Sequence, residues 1–251
     1  MKRTITRTAL ATLFFLLGLT FSSYAQTYYQ LYLCDAGTAK LRTPQETGLA
    51  VGDKVHWFVD GNPYGTPLTY NGTAGSTDIT VPANLAVGPH NYTSSIESKD
   101  LCMGPLSNPF TVYKLPSKTI ALSAPTNATY CGDASGTNLS SVITATATPG
   151  ASLPDGVGYT YTWSATHNGT AVLPVTTIGT ITGSEPNVNN TFTLNTTDAG
   201  TYVFNAAVVY TLLAGNTGTL RPTDGCEVAT TTTQTITVTP KPGKPTIVLA
   251  N

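Results

Sequence analysis

The chain has 251 residues, only 10% of them charged, with 12 basic against 13 acidic side chains and a formal net charge of -1. So few charges, balanced in sign and without a Lys or Arg run past the first residues, leave no electrostatic footprint for nucleic acid or for an anionic membrane. The acids lie mostly in turns or beside lysines, and no G-x-S-x-G elbow, phosphate-cradling glycine loop or partnered nucleophilic cysteine occurs, so neither an enzyme nor a cofactor is expected.

Lys2, Arg3 and Arg7 precede an apolar stretch from Ala9 to Phe21, and Ser23-Tyr24-Ala25 places small residues at the minus-three and minus-one positions. This is the pattern of a cleaved export signal over residues 1–25, with cleavage after Ala25. No later stretch approaches the ~18 apolar residues of a membrane-spanning helix. No cysteine stands at the cleavage point to carry a lipid anchor. The expected location is extracellular or at the cell surface, with the periplasm as the alternative.

The remainder is long enough for two domains of about 100 residues each. Tyr outnumbers Phe 13 to 7, and the low charge with abundant Thr suits half-buried strands. In the first module, residues 26–114, Val55, Trp57 and Val59 share one face of an alternating run while Lys54, His56 and Asp60 share the other. Asp60 to Gly65 reads as a turn, and strands follow at Asp78–Val81, His90–Glu97 and Phe110–Tyr113. Residues 115–118, Leu-Pro-Ser-Lys, form the expected linker. The second module, residues 119–240, repeats the plan with strands at Val142–Thr148, Tyr159–Ala165, Thr191–Leu194, Thr201–Leu212 and Thr231–Val238. Tyr159, Tyr161 and Trp163 fall on one face there, the expected core side. Helical periodicity is scarce throughout, so the fold class is all-β, two tandem sandwiches. Residues 241–251 form a tail in which Pro242-Gly243-Lys244-Pro245-Thr246-Ile247-Val248-Leu249 echoes Pro116-Ser117-Lys118-Thr119-Ile120-Ala121-Leu122, the opening of the second module.

One ordered set occurs in both modules: Cys34, Trp57, Tyr92, Cys102, then Cys131, Trp163, Tyr202, Cys226. Four cysteines in an exported chain make two disulfides, with three connectivities open; if each module closes on itself the pairs are Cys34 with Cys102 and Cys131 with Cys226. The C-x-x-C spacing of a zinc site is absent. Asp198-Ala199-Gly200-Thr201-Tyr202 is the sharpest local motif. It resembles the D-x-G-x-Y corner of immunoglobulin-like domains, whose tyrosine hydroxyl bonds back to the backbone. Leu85 to Tyr92 is a looser form. The resemblance departs from the antibody type two residues later, where Phe204 and Ser94 stand in place of the inter-sheet cysteine. With Cys131-Gly132, Gly225-Cys226, the Thr-rich run to Thr239 and Pro240-Lys241-Pro242, the chain resembles the tandem immunoglobulin-like and PKD-like repeats of Bacteroidetes secreted and cell-surface proteins. That resemblance implies an extracellular adhesive, binding or spacing module and no activity.

Trp57, Tyr92, Trp163, Tyr202 and Phe204 are the expected core residues. His56, His90 and His167 lack the spacing of a metal site, and the turns at Asp60 and Asp133 lack the acidic spacing of a calcium loop, so no metal is expected. Tyr28, Tyr29, Tyr64 and Tyr70 lie outside the inferred core and are the candidate ligand-facing aromatics for a carbohydrate-binding reading. A further alternative is an assembly subunit that self-associates through residues 243–251, adding a strand to a neighbour's sheet. The expected partner is a protein or glycan at the cell surface.

Overall fold

The computed structural model describes residues 27–43, 46–132, 139–183 and 188–247. The expected export signal, the Asp133 turn and the last residues of the tail lie outside them. The first module contains β1 (Leu31–Leu33), β2 (Ala39–Leu41), β3 (Lys54–Val59), β4 (Asn62–Pro63), β5 (Leu68–Thr69), β6 (Ile79–Val81), β7 (Gly88–Glu97) and β8 (Phe110–Lys114). The second contains β9 (Lys118–Leu122), β10 (Thr129–Cys131), β11 (Ser141–Pro149), β12 (Val157–His167), β13 (Thr170–Val172), β14 (Gly179–Thr182), β15 (Asn189–Leu194), β16 (Gly200–Leu212), β17 (Thr219–Arg221), β18 (Val228–Ala229) and β19 (Gln234–Thr239).

The second module is a two-sheet sandwich. One sheet runs β14-β15-β11-β9, the other β10-β19-β16-β12-β13, with β18 on β16. Its core forms because alternate residues of facing strands turn inward. Ile143, Ala145, Phe192 and Leu194 come from one sheet and Tyr159, Trp163, Tyr202, Phe204 and Ile236 from the other, all buried. Tyr161 is only half-buried, its hydroxyl bonded to the Val188 carbonyl at the margin of the core. β10 lies parallel to β19 while β9 pairs antiparallel with β11, so the opening segment of the module contributes to both sheets. This is the immunoglobulin-like arrangement.

The first module is built alike but is thinner. β1-β8-β7-β3 forms the larger sheet, extended by β4 and β5, and among the described residues the second sheet is β2-β6. Trp57 and Tyr92 are buried between them, and the Trp57 Nε1–H donates to the Thr77 carbonyl at 2.9 Å. Where an antibody domain bridges its sheets with a disulfide, buried Ser94 donates to the Thr43 hydroxyl at 3.2 Å. In the second module Phe204 fills the equivalent space by packing on Phe192, ring centroids 5.1 Å apart. The corner bond is made by Tyr202, whose hydroxyl donates to the Asp198 carbonyl at 3.1 Å, whereas the Tyr92 hydroxyl finds no partner among the described residues.

The disulfide pairing differs from the intramodular one expected. Cys34 is bonded to Cys226, and Cys102 and Cys131 are free thiols. Strand length explains why. Cys34 follows Leu33, which pairs with Lys114, and Lys114 faces Gly88 at the start of β7. Cys102 lies beyond Glu97 at the other end of β7, about 30 Å away along the strand. In the second module Cys131 sits beside Thr239 at the Gly200 end of β16, whereas Gly225 and Cys226 lie beside Tyr210, again about 33 Å along the strand. Cysteines need Cα atoms within about 7 Å to bridge, so neither intramodular pair can form.

Candidate functional site

The modules meet in a covalent and packed junction. β17, a segment of the second module, pairs in parallel with β1 of the first, Leu31 opposite Thr219 and Leu33 opposite Arg221. β1 is thereby held between β8 and β17 and buried on both faces. Leu31 and Leu33 turn into the first core, and Tyr32 and Cys34 belong to the core of the second. The expected linker is no flexible tether, since Leu115 is 1% exposed and Lys118 opens β9.

Two lysines are buried here among oxygens. Lys114 donates to the Asp35 carbonyl, and Lys118 donates to the carbonyls of Gly225 and Cys226 while lying 4.0 Å from the centroid of the Tyr210 ring. Burial pushes the Lys118 ammonium below its ordinary pKa, and the carboxylates of Asp35 and Asp224 work the other way. The Tyr210 hydroxyl donates to the Pro116 carbonyl at 2.7 Å, and burial drives its pKa up. Gly225 must be glycine, because its φ is +69° and a Cβ would lie 2.3 Å from the Tyr210 carbonyl oxygen. These are structural contacts; each polar group of the cluster is occupied by another part of the protein.

The candidate ligand-facing tyrosines are all half-buried. Tyr29 packs on Tyr32 and Tyr113 at the junction, with centroids 5.9 and 4.8 Å away, and Tyr28 lies against Gly156 of the second module. Tyr64 stacks edge-on against Tyr92 and donates to the Thr80 carbonyl at 3.1 Å. Tyr70 sits beside Asp53, its amide bonded to that residue's carbonyl. The tyrosines therefore divide between the junction and the body of the first module.

The histidines are likewise in separate settings. His56 contacts Glu97 at 2.7 Å, His90 contacts Asp60 at 2.9 Å, and His167 stacks on Tyr202 at 4.3 Å. The His56 hydrogen bond, supported by Lys54, holds the Glu97 carboxyl below the usual range against its desolvation. The Asp60 carboxylate also accepts the Asn91 amide, so the turn that carries it is closed by protein donors. Among the described residues no group of three His, Cys, Asp or Glu is placed to hold a metal.

One concave surface follows an open sheet edge. On the side of β2 away from β6 no strand is paired among the described residues. A cavity of about 400 Å³ opens there, lined by Leu41, Trp57, Tyr92, Ser94 and Phe110. A second of about 380 Å³ shares Gln30, Lys40, Leu41 and Phe110 with it and runs on toward Thr219 and Arg221. The alternation that marked Trp57 as core gave no sign of this slot, because it results from the second sheet having two strands.

No family model and no curated protein matches the chain. Among solved structures it is similar to the fibronectin(III)-like modules of Clostridium thermocellum CbhA, with 15% identity, 86% of this chain and 93% of that one covered, and a TM-score of 0.39. It is similar to murine CEACAM1b at 14% identity, covering 84% and 96% with a TM-score of 0.32. It also aligns with an I-band fragment of titin at 10% identity and a TM-score of 0.41, covering 85% of this chain and 64% of that one. Superpositions this loose say nothing of ligand or activity; the immunoglobulin-like class rests on the strand order and register above.

Proposed function

We infer that the chain is an exported, non-enzymatic interaction and spacing element of fixed shape, acting outside the cell or at its surface. The observation that carries this reading is the junction. A spacer must hold its two ends in one relation, and here a disulfide, a shared sheet and a second-module core that takes in Tyr32 and Cys34 of the first tie the modules together. Such a disulfide persists in an oxidising compartment, in keeping with the export pattern of residues 1–25. The likeness of the cysteine-to-proline motif set to Bacteroidetes surface repeats supports the same reading. Protease accessibility of the protein on intact cells, compared with lysed cells and culture medium, tests it. Cleavage on intact cells or recovery from the medium is the expected result, and protection until lysis would refute a surface role.

A further inference from the structure

We propose that the open edge of β2 is the acceptor for the tail of a second copy of this chain, residues 244–249, which adds there as a strand and links copies head to tail. This deepens the interaction reading by naming its partner.

The second module shows what the first lacks. β9 pairs antiparallel with β11, Ile120 opposite Ala147 and Leu122 opposite Ala145, and it alternates buried and exposed along its length, with Ile120 and Leu122 in the core. The position of β9 is empty of any strand beside β2 among the described residues, and the slot lined by Leu41, Trp57, Tyr92 and Phe110 lies where its side chains would point. The first module cannot supply the strand from its own opening residues. Gln30 already exchanges backbone bonds with Thr111 and Thr219, and Tyr29 is packed on Tyr113.

The tail has the sequence of that strand. Lys244, Thr246, Ile247, Val248 and Leu249 match Lys118, Thr119, Ile120, Ala121 and Leu122 once Pro245 is passed over. In an extended strand Ile247 and Leu249 would fall on one face, as Ile120 and Leu122 do. Ile247 is 96% exposed, an apolar side chain left in water. Strand addition supplies both missing elements, main-chain pairing for β2 and cover for Ile247.

Reach decides between the chain's own slot and a neighbour's. Thr239 ends β19 at the Gly200 end of β16, and the junction lies at the Tyr210 end, about 33 Å further along the strand. Lys244 is five steps along the chain from Thr239, which span at most about 18 Å. The slot, bordered by Thr219 and Arg221, is out of range, so the occupant comes from another molecule. Such a contact is heterologous, so repeated addition builds an open fibre or, where the rotation closes, a ring.

Sedimentation velocity of residues 26–251 over a concentration series tests this against a variant lacking residues 243–251 and against Ile247→Asp. Oligomers that lengthen with concentration in the parent and a monomer in both variants are expected. A peptide of residues 244–251 added to the truncated chain carrying Trp163→Phe should shift the fluorescence of Trp57 saturably and slow amide exchange at residues 39–42, and a peptide with Asp at 247 and 249 should do neither. A parent that stays monomeric throughout, oligomers that survive the truncation, or peptide protection at another strand edge would overturn the proposal. A protein exposed on intact cells yet monomeric would sink the assembly while leaving the spacer reading in place.

Discussion

Raising the pH should unfold the second module before the first. Tyr130 and Tyr159, buried in the second module, and Tyr92, buried in the first, have phenol pKa values pushed up to about 12 by burial, and Tyr210 is raised further in the same direction. A group whose folded pKa lies above its unfolded value stabilises fully below the unfolded value, near 10, and loses that contribution as pH rises toward the folded one. At pH 11 each such tyrosine has given up about 1.4 kcal/mol. Three of them together take about 4 kcal/mol from the second module, against about 1.4 from Tyr92 in the first, a large share of the 5–15 kcal/mol typical of a domain; burial also raises Tyr161 and Tyr202 in the second and Tyr113 in the first. Lys114 and Lys118, whose pKa values burial lowers, act in the opposite sense, gaining stability as pH rises toward the unfolded lysine value of about 10.5 and nothing beyond it. Phenolate absorbance near 295 nm and circular dichroism, followed with Trp163→Phe and Trp57→Phe variants that each leave one module's fluorescence, provide the assay. The buried tyrosines should ionise together with loss of structure, and the Trp163 signal should change at lower pH than the Trp57 signal. Complete phenol ionisation by pH 11 in a protein that keeps its native dichroism would refute the reasoning, as would a first module that melts first.

Replacing both Cys34 and Cys226 with Ser should lower stability by up to about 5 kcal/mol in the chain-entropy model for a loop of 192 residues, and thermal unfolding should then be the same with and without reductant, whereas the parent should melt earlier when reduced. Tyr202→Phe removes one hydroxyl bond to the Asp198 carbonyl and should cost about 1 kcal/mol in denaturant midpoint measurements, while Tyr92→Phe, which removes no such bond, should be neutral or stabilising. Gly225→Ala should displace Cys226 from Cys34, read as a rise from two to four titratable thiols in denaturant.

The strands were legible because alternation is a local signal: Val55 and Trp57, or Tyr159 and Trp163, report which side is buried without reference to anything distant. The Asp198 to Tyr202 motif likewise encodes a bond four residues long. What stayed hidden depends on position along a sheet. The order of the cysteines in sequence places them near strand ends without saying which end, and a strand of ten residues separates the two choices by about 30 Å. Thr219–Arg221 is too short to alternate, so the strand that joins the modules leaves no trace, and Tyr28 and Tyr29 look available because the surfaces that half-cover them include residues distant in sequence, Gly156 for Tyr28 and Tyr113 for Tyr29.

The crosslink also decides how the molecule would bear load. Tension applied between the start of β1 and the end of β19 enters at Cys34 and leaves from Cys226 through the sulfur bridge, so the 192-residue interval is bypassed. Fully drawn out, that interval would measure about 670 Å, and none of it is available to extend while the bridge is intact. Pulled from its ends, the protein would behave as a short inextensible strap, yielding only in the segments outside the bridge.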